Sequence, residues 1–558
     1  MKRLIITTMM TAVTLLTAEA QNTTIDIIYK GTTAEVNIPD GITDVTPTVE
    51  GANVAITSLT STTEYTYRLS GSSTDGSLLI NGAYKLTLLL AGLDLTNAHG
   101  GAAIDIECGK RIAVELADGT TNRLADVSGA QKAALYFKGH AEFEGGGTLN
   151  VTGRVKHAIC AKEYMELKGS TGTINVLGAP SDGLHCGKGK INNEHNYFLM
   201  KGGNVSIMNV GGDGIDSDDY GTIRMEGGVI SINVPDGATG LKADSIVTVS
   251  GGTVNIAVKG KDSEGIRSRY ATNIEGGQLY IVVNGDGSKA IKGKNYTEAS
   301  TVLNGGYVNI SGGETHIQVL GGNLTDATTG EINKCMGLSV DADLIQSGGS
   351  VNITALGSEA FTYNVKGSES RTNGTIDCIQ APWTINTADY QYDMTAYMAV
   401  QRGSSRLTDF KDKAIGAFAA DGQCMGYAIF ADSQYGILRI YSNSTSAQDI
   451  SFRLYDYSTQ AEYPLMPSQP VAFASLSNVG NPSSPLVLSY SGYQQGDVNH
   501  DGKIDKSDTD AITRHLTGQT PNVFFPEQAD LNMDGVINIV DVTLAIEKAL
   551  GDTDNTNQ

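Results

Sequence analysis

The sequence predicts a mainly β protein: a parallel β-helix, then a small β-sandwich, then a short α-helical tail. Two in-phase repeats and one loss of phase predict it. A small residue followed by a large apolar one recurs as Ala134-Leu135, Ala158-Ile159, Gly183-Leu184, Gly214-Ile215, Gly240-Leu241, Gly265-Ile266 and Ala290-Ile291, mostly at intervals of 23 to 26 residues. In phase with it run "GGTLNV", "GGNVSI", "GGVISI", "GGTVNI", "GGQLYI", "GGYVNI" and "GGSVNI". From about residue 375 the period vanishes.

Strict alternation after each Gly-Gly gives strands and not helices. A period of this length means stacked units, none of which can bury its own core. Each repeat holds about three short strands, one coil of a parallel β-helix, with neighbouring coils ~4.8 Å apart.

At 558 residues with 67 glycines, the chain is too long for one ordinary core and rich in tight turns. A formal net charge of −22 argues against nucleic acid as a partner. Lys2 and Arg3, an apolar run and Ala18-Glu19-Ala20 read as a secretory signal peptide over 1–20. The expected location is therefore secreted: extracellular, cell-surface or periplasmic. No later apolar run is long enough to span a bilayer, so no membrane insertion is expected. Six scattered cysteines show no zinc spacing, and their pairing is not readable from sequence.

Stacking lets the repeats be read in columns. Asp182, Asp213, Asp216 and Asp218, with Glu264 further along, gather on the turns and outward positions. Two readings are open: calcium ligands, since Ca²⁺ takes six to eight oxygens, or the polar skin of a glycine-rich corner. Lys242, Arg267, Arg269, Lys292 and Lys294 form a basic ladder. It can grip the carboxylates of an acidic polysaccharide, or balance the charge of Asp244 and Glu264. Tyr270, with Tyr220 and Tyr296, can stack on sugars.

The stretch 67–360, with "YRLSGSSTDGSLLING", "AAIDIECGKRIAVELADGTTNRLAD", "AALYFKG", "GGTLNVTG" and "GDGID", resembles the secreted bacterial carbohydrate-binding domain-containing β-helix family. The resemblance implies a right-handed β-helix similar in shape to pectate lyases. It also implies association with Ca²⁺ and binding of plant cell-wall polysaccharides, uronate-rich ones included, without demonstrated cleavage. Asp182, Asp213 and Glu264 match the family pattern, whereas Thr239 and Lys289 depart from it. A calcium-dependent polysaccharide lyase needs a metal and a nearby Arg or Lys base, and nothing in the spacing requires that arrangement. No catalytic residue is assigned. A surface adhesin or structural protein is the third reading.

After the coils, "MTAYMAVQ", "KAIGAFAADGQCMGYAIF", "YGILRIYS" and "ISFRLYDYS" alternate as the strands of a β-sandwich. The tail is the sharpest signal. "DVNHDGKIDKSD" and "DLNMDGVINIVD" begin 33 residues apart, each with glycine at position 6. Oxygen ligands fall on Asp497, Asn499, Asp501, Asp505 and Asp508, and on Asp530, Asn532, Asp534, Asn538 and Asp541. Lys503 and Val536 offer backbone carbonyls. With aspartate at position 12 and a helix after each loop, the tail resembles a type I dockerin. That resemblance implies a duplicated Ca²⁺ module that docks onto a cohesin, and a calcium-stabilised cap is the other reading. Lys506-Ser507 and Ile539-Val540 differ between the two repeats, which departs from a symmetric docking surface.

The expected organisation is a signal peptide over 1–20, an N-terminal β cap over 21–66 and the parallel β-helix over 67–372. A β-sandwich over 375–490, the dockerin over 496–551 and a disordered tail over 552–558 follow. The expected function is non-catalytic polysaccharide binding, assembled or tethered through the dockerin.

Overall fold

The computed structural model describes residues 23–187, 196–298, 301–303, 305–357, 360–380, 383, 385, 389–402, 405–408, 413–428, 436–456, 461–490, 492–501, 503–521, 523–532 and 535–554. The proposed signal peptide and Asp534 lie outside the described residues. The protein is mainly β with parallel sheets, and it divides into two units. The first comprises residues up to Val210 together with Ile215–Val229; the second comprises Gly211–Gly214 and the chain from Ile230 onward.

From Ile104 to the end of the first unit every third strand pairs in parallel, which makes three ladders, whereas Thr24–Lys30 with Thr33–Asn37 and Val45–Glu50 with Asn53–Ser58 pair antiparallel. One runs through Arg111–Leu116, His140–Glu144, Met165–Leu167, Tyr197–Met200 and Thr222–Met225. A second runs through Thr121–Asp126, Thr148–Thr152, Thr173–Gly178 and Asn204–Ile207. The third runs through Ile104–Glu107, Ala133–Phe137, His157–Ala161, Leu184–Cys186 and Ile215–Ser217. The Gly-Gly strands alternate as their sequence demands: Leu149 and Val151 are buried while their neighbours are half-buried.

Ile104–Glu107 alternates, but the next strands of the third ladder do not. Ala133–Phe137, His157–Ala161 and Leu184–Cys186 are buried at every position. The column through Cys160, His185 and Asp216, which alternation aims at solvent, is therefore buried here. Its polar groups turn on one another, as shown below. Inside, Phe137 and Phe143 meet edge to face with centroids 6.2 Å apart. Between strands the chain reverses on Gly145, at φ +82°, where a Cβ would lie 2.3 Å from the Leu116 carbonyl oxygen. Only glycine fits so close an approach.

In the second unit the same threefold pairing runs from Thr239–Ala243 through Glu264–Ser268, Lys289–Gly293, Met336–Val340 and Phe361–Val365. The gap between Ala290 and Gly337 exceeds one period because two antiparallel hairpins are inserted, Tyr296–Glu298 with Thr301–Leu303 and Leu324–Thr325 with Ile332–Asn333. These ladders end with Thr375–Gln380, which pairs in parallel with Ser350–Ala355.

Beyond it, Lys413–Phe418 pairs antiparallel with Cys424–Ala428 and Ser451–Asp456. Tyr392–Arg402 pairs with Gly436–Ser442 and Leu486–Tyr490. Met394, Met398, Leu438, Phe452 and Phe473 fill this module's core. Trp383 is buried against Phe418, and its Nε1 donates to Glu462 at 3.1 Å. The tail holds helices α1 (Lys506–Leu516), α2 (Pro526–Ala529) and α3 (Ile539–Asp554) around Val498, Ile512, Ala529 and Ala545. None of the six cysteines is joined in a disulfide. Among the described residues no helix is long and apolar enough to cross a membrane.

Candidate functional site

Three polar constellations stand out. The first is in the tail, where two loops share one hydrogen-bond pattern. Asp508 and Asp541 are both fully buried. Asp508 Oδ1 accepts from the Val498 and Asn499 amides at 2.9 and 3.2 Å, and its Oδ2 from the Asp505 amide at 3.0 Å. Asp541 Oδ1 accepts from the Leu531 and Asn532 amides at 2.7 and 3.3 Å, and its Oδ2 from the Asn538 amide at 2.8 Å. Position 12 of each loop thus closes the loop onto the first turn of the following helix.

Around it, Asp497 Oδ1 accepts from the Asp501 amide at 3.1 Å, and Asn499 Oδ1 from the same amide at 2.8 Å. Asp505 caps α1, accepting from the Ser507 amide. In the second loop Asp530 Oδ2 accepts from the Gly535 amide at 2.8 Å, and Asn538 donates to the Val536 carbonyl at 3.1 Å. Lys503 donates its amide to Asp501 at 3.0 Å. One oxygen each from Asp497, Asp501 and Asp508 lies within 4.8 Å of the others. Burial and then the charges of Asp497 and Asp501 raise the Asp508 pKa above its ordinary value. Converging oxygens that repel one another are the donor set of a hard divalent cation, and these residues fit Ca²⁺.

The second constellation lies on the third ladder of the first unit. Parallel register sets His157, on its strand, under Asp182, and Cys160, His185 and Asp216 in one row. Asp182 Oδ2 is 3.0 Å from His157 Nδ1 and 3.1 Å from His185 Nδ1. Asp216 Oδ2 is 3.4 Å from the same His185 nitrogen, and Asp218 Oδ2 is 3.9 Å from its Nε2. The two imidazoles stack with centroids 4.2 Å apart. Burial pulls His185 down, but its hydrogen bonds to Asp182 and Asp216 outweigh that and lift its pKa to about 9. Burial holds His157 below its ordinary value. Sequence reasoning found the three aspartates but missed His157 and His185 as their companions. The signal was present: His157 and Asp182 each stand two residues before the large member of their pair.

The third constellation is in the second unit. Asp213 Oδ1 accepts from the Thr239 amide at 2.7 Å and its Oδ2 from Lys242 Nζ at 2.8 Å. Glu264, 5% exposed, accepts from Lys292 at 2.9 Å and from the Thr239 hydroxyl at 3.2 Å, with Arg267 3.8 Å away. Arg269 pairs with Asp244 at 3.1 Å. Four members of the basic ladder thus face a carboxylate, and Lys294 is exposed. Lys289 is buried, donates to the Gly287 carbonyl at 2.6 Å and to Asn333, and burial lowers its pKa to about 8. Tyr270 is half exposed beside Arg269 and leans on Tyr307, while Tyr220 is exposed in the first unit.

Comparison with known proteins bears on two stretches. A family model described as carbohydrate-binding domain-containing protein matches residues 50–286, and the type I dockerin domain model matches residues 495–550. No curated protein matches the chain. A solved structure of a polysaccharide lyase-like protein from C. thermocellum, a gadolinium derivative, is 18% identical. It covers 64% of this chain and 96% of its own, with a TM-score of 0.27. That likeness is too slight to argue from. The chain thus carries, in one polypeptide, a segment that matches the carbohydrate-binding domain-containing protein model and a C-terminal segment that matches the type I dockerin domain model.

Proposed function

We propose that this is a secreted, non-catalytic polysaccharide-binding protein, held in an assembly by its calcium-loaded tail. The observation that carries the reading is the union of the two matched segments with a tail whose loops repeat the same carboxylate-to-amide pattern. In this reading the three ladders of each unit are the faces of a parallel β-helix, as three strands per period require. Asp497, Asn499, Asp501, Asp505, Asp508 and the Lys503 carbonyl hold one Ca²⁺; Asp530, Asn532, Asp534, Asn538, Asp541 and the Val536 carbonyl hold the second. The helix starts then present unlike faces to a cohesin. Ile539 is 70% exposed and apolar, whereas the Lys506 side chain, at the matching place, is charged and ion-paired to Asp510.

The glycan surface of this reading lies on the second unit, where Arg269, Tyr270 and Lys294 are the accessible members of the polar strip. Lys242, Arg267 and Lys292 support it at half burial, each already facing a carboxylate. A free uronate carboxylate would compete for those cations, which makes the grip ionic and salt-sensitive.

The test is affinity electrophoresis of the full chain through gels holding neutral or uronate-rich polysaccharides, with calcium and with EDTA. Retardation on uronate gels that weakens in Arg269→Ala/Tyr270→Ala supports the binder. Growth of ultraviolet absorbance from unsaturated uronides turns the reading to a lyase, and no retardation on any glycan turns it to an adhesive or structural role.

A further inference from the structure

The polar cluster of the first unit contains two imidazoles, and imidazole changes the chemistry of a cation site. Ca²⁺ wants six to eight oxygens. Here three atoms lie close about one point: Nδ1 of His157, Nδ1 of His185 and Oδ2 of Asp182. Their measured separations are 3.0 and 3.1 Å, with Asp216 Oδ2 3.4 Å from His185 Nδ1. Ligands that sit about 2.0–2.1 Å from one tetrahedral ion stand roughly 3.3 Å from each other. The observed spacings bracket that value. His157, Asp182, His185 and Asp216 are each more than nine-tenths buried, so the group is enclosed by protein.

We propose that His157, Asp182 and His185 form a binding site for a transition-metal ion of the zinc class, with Asp216 beside His185. The nitrogen donors select against calcium and magnesium and suit zinc, copper or nickel. Three protein donors leave a fourth position, and the burial of all three residues keeps that position from bulk solvent. Asp218, on the Nε2 side of His185, is placed to orient that ring, as carboxylates commonly do behind a ligating histidine. The donors come from two successive strands of one ladder and the turn before the second of them, so the ion would pin adjacent repeats together. That makes it a staple at a place where the row of side chains is polar and contributes little apolar burial.

The site does not depend on glycan binding or on the tail. Its test uses the full chain in excess calcium, which keeps the tail loops filled. Wild type is exposed to Zn²⁺ or Co²⁺, desalted and assayed for metal by mass spectrometry, and melted in parallel. The expected result is one zinc retained per chain, a raised melting temperature and, with cobalt, the strong visible absorption of four-coordinate geometry. His157→Gln and Asp182→Asn should each weaken retention by tenfold or more, while His140→Gln, whose ring stacks on Tyr164 elsewhere in the unit, retains the ion.

Equal retention in all variants, or displacement of zinc by millimolar calcium, overturns the proposal. If the variants do not fold, X-ray absorption of the zinc-loaded wild type decides: two imidazole nitrogens in the coordination shell support the site, and oxygen-only coordination sinks it.

Discussion

Two strand positions carry opposite chemistry in the two units. In the first, the position two before each large apolar residue holds His157 and Asp182, and the position after it holds Cys160, His185 and Asp216. In the second, the same positions hold Thr239, Glu264 and Lys289, then Lys242, Arg267 and Lys292. Register gives the carboxylates a similar setting in both. What differs is the partner. Imidazole has a lone pair to give a metal, whereas ammonium and guanidinium have none. In the first unit the charge opposite the carboxylates is a proton on His185 that a metal ion can displace, while in the second unit it is fixed on lysine and arginine. Backbone geometry decides where charges meet, and side-chain identity decides which cation answers.

The largest effect on this comparison should come from Glu264→Ala. It removes the carboxylate shared by Lys292 and Arg267, leaving two half-buried cations without it. Breaking a buried pair from one side costs about 3–5 kcal/mol, and the partial exposure of the cations puts this case near 3. Urea unfolding of the full chain at neutral pH reads it. A loss below about 1 kcal/mol would mean that water already screens the strip, and the contrast with the first unit would collapse.

Lys289→Met should act in the opposite direction. The folded protein releases the Lys289 proton at about 8, the unfolded chain near 10.5. Between those values the unfolded state binds more protons, so stability rises with pH; below 8 the full cost of charging the buried amine is present. The shift corresponds to roughly 3 kcal/mol, which nearby polar groups and water reduce to about 2. The variant should be more stable at pH 7 and should lose the slope between pH 8 and 10.5. A persistent slope would assign it to another group.

Much of this arrangement was legible in the sequence. Gly-Gly followed by alternation marked the strands, and the two twelve-residue motifs marked Asp508 and Asp541, whose carboxylates close their loops. The third ladder was not legible as a buried surface, because alternation assumes one wet face, and Ala133–Phe137 and His157–Ala161 have none. The charge-balancing reading of the ladder named Asp244 and Glu264, which do pair with it, but it did not name Asp213. Lys242 and Asp213 are 29 residues apart, and only the parallel register brings them to 2.8 Å. His157 escaped notice because the acidic column was read from Asp182 onward; one repeat earlier, the same position holds an imidazole. Trp383, the single tryptophan of the chain, packs with Ala414 and Phe418 in the module after the parallel ladders.

The smallest expected effect is the most discriminating. Arg269 is 41% exposed and pairs with Asp244 at 3.1 Å, so Arg269→Ala should cost less than about 1 kcal/mol of stability. The same substitution should weaken retardation on uronate gels clearly, because an exposed guanidinium can exchange Asp244 for a sugar carboxylate at little desolvation cost. Raising salt should shrink the binding effect of wild type toward that of the variant while leaving their small stability difference almost unchanged. If Arg269→Ala instead destabilised the fold as much as Glu264→Ala, the exposed end of the strip would be as structural as its buried centre. The basic ladder would then be charge balance throughout, and glycan binding would have to be sought on another face.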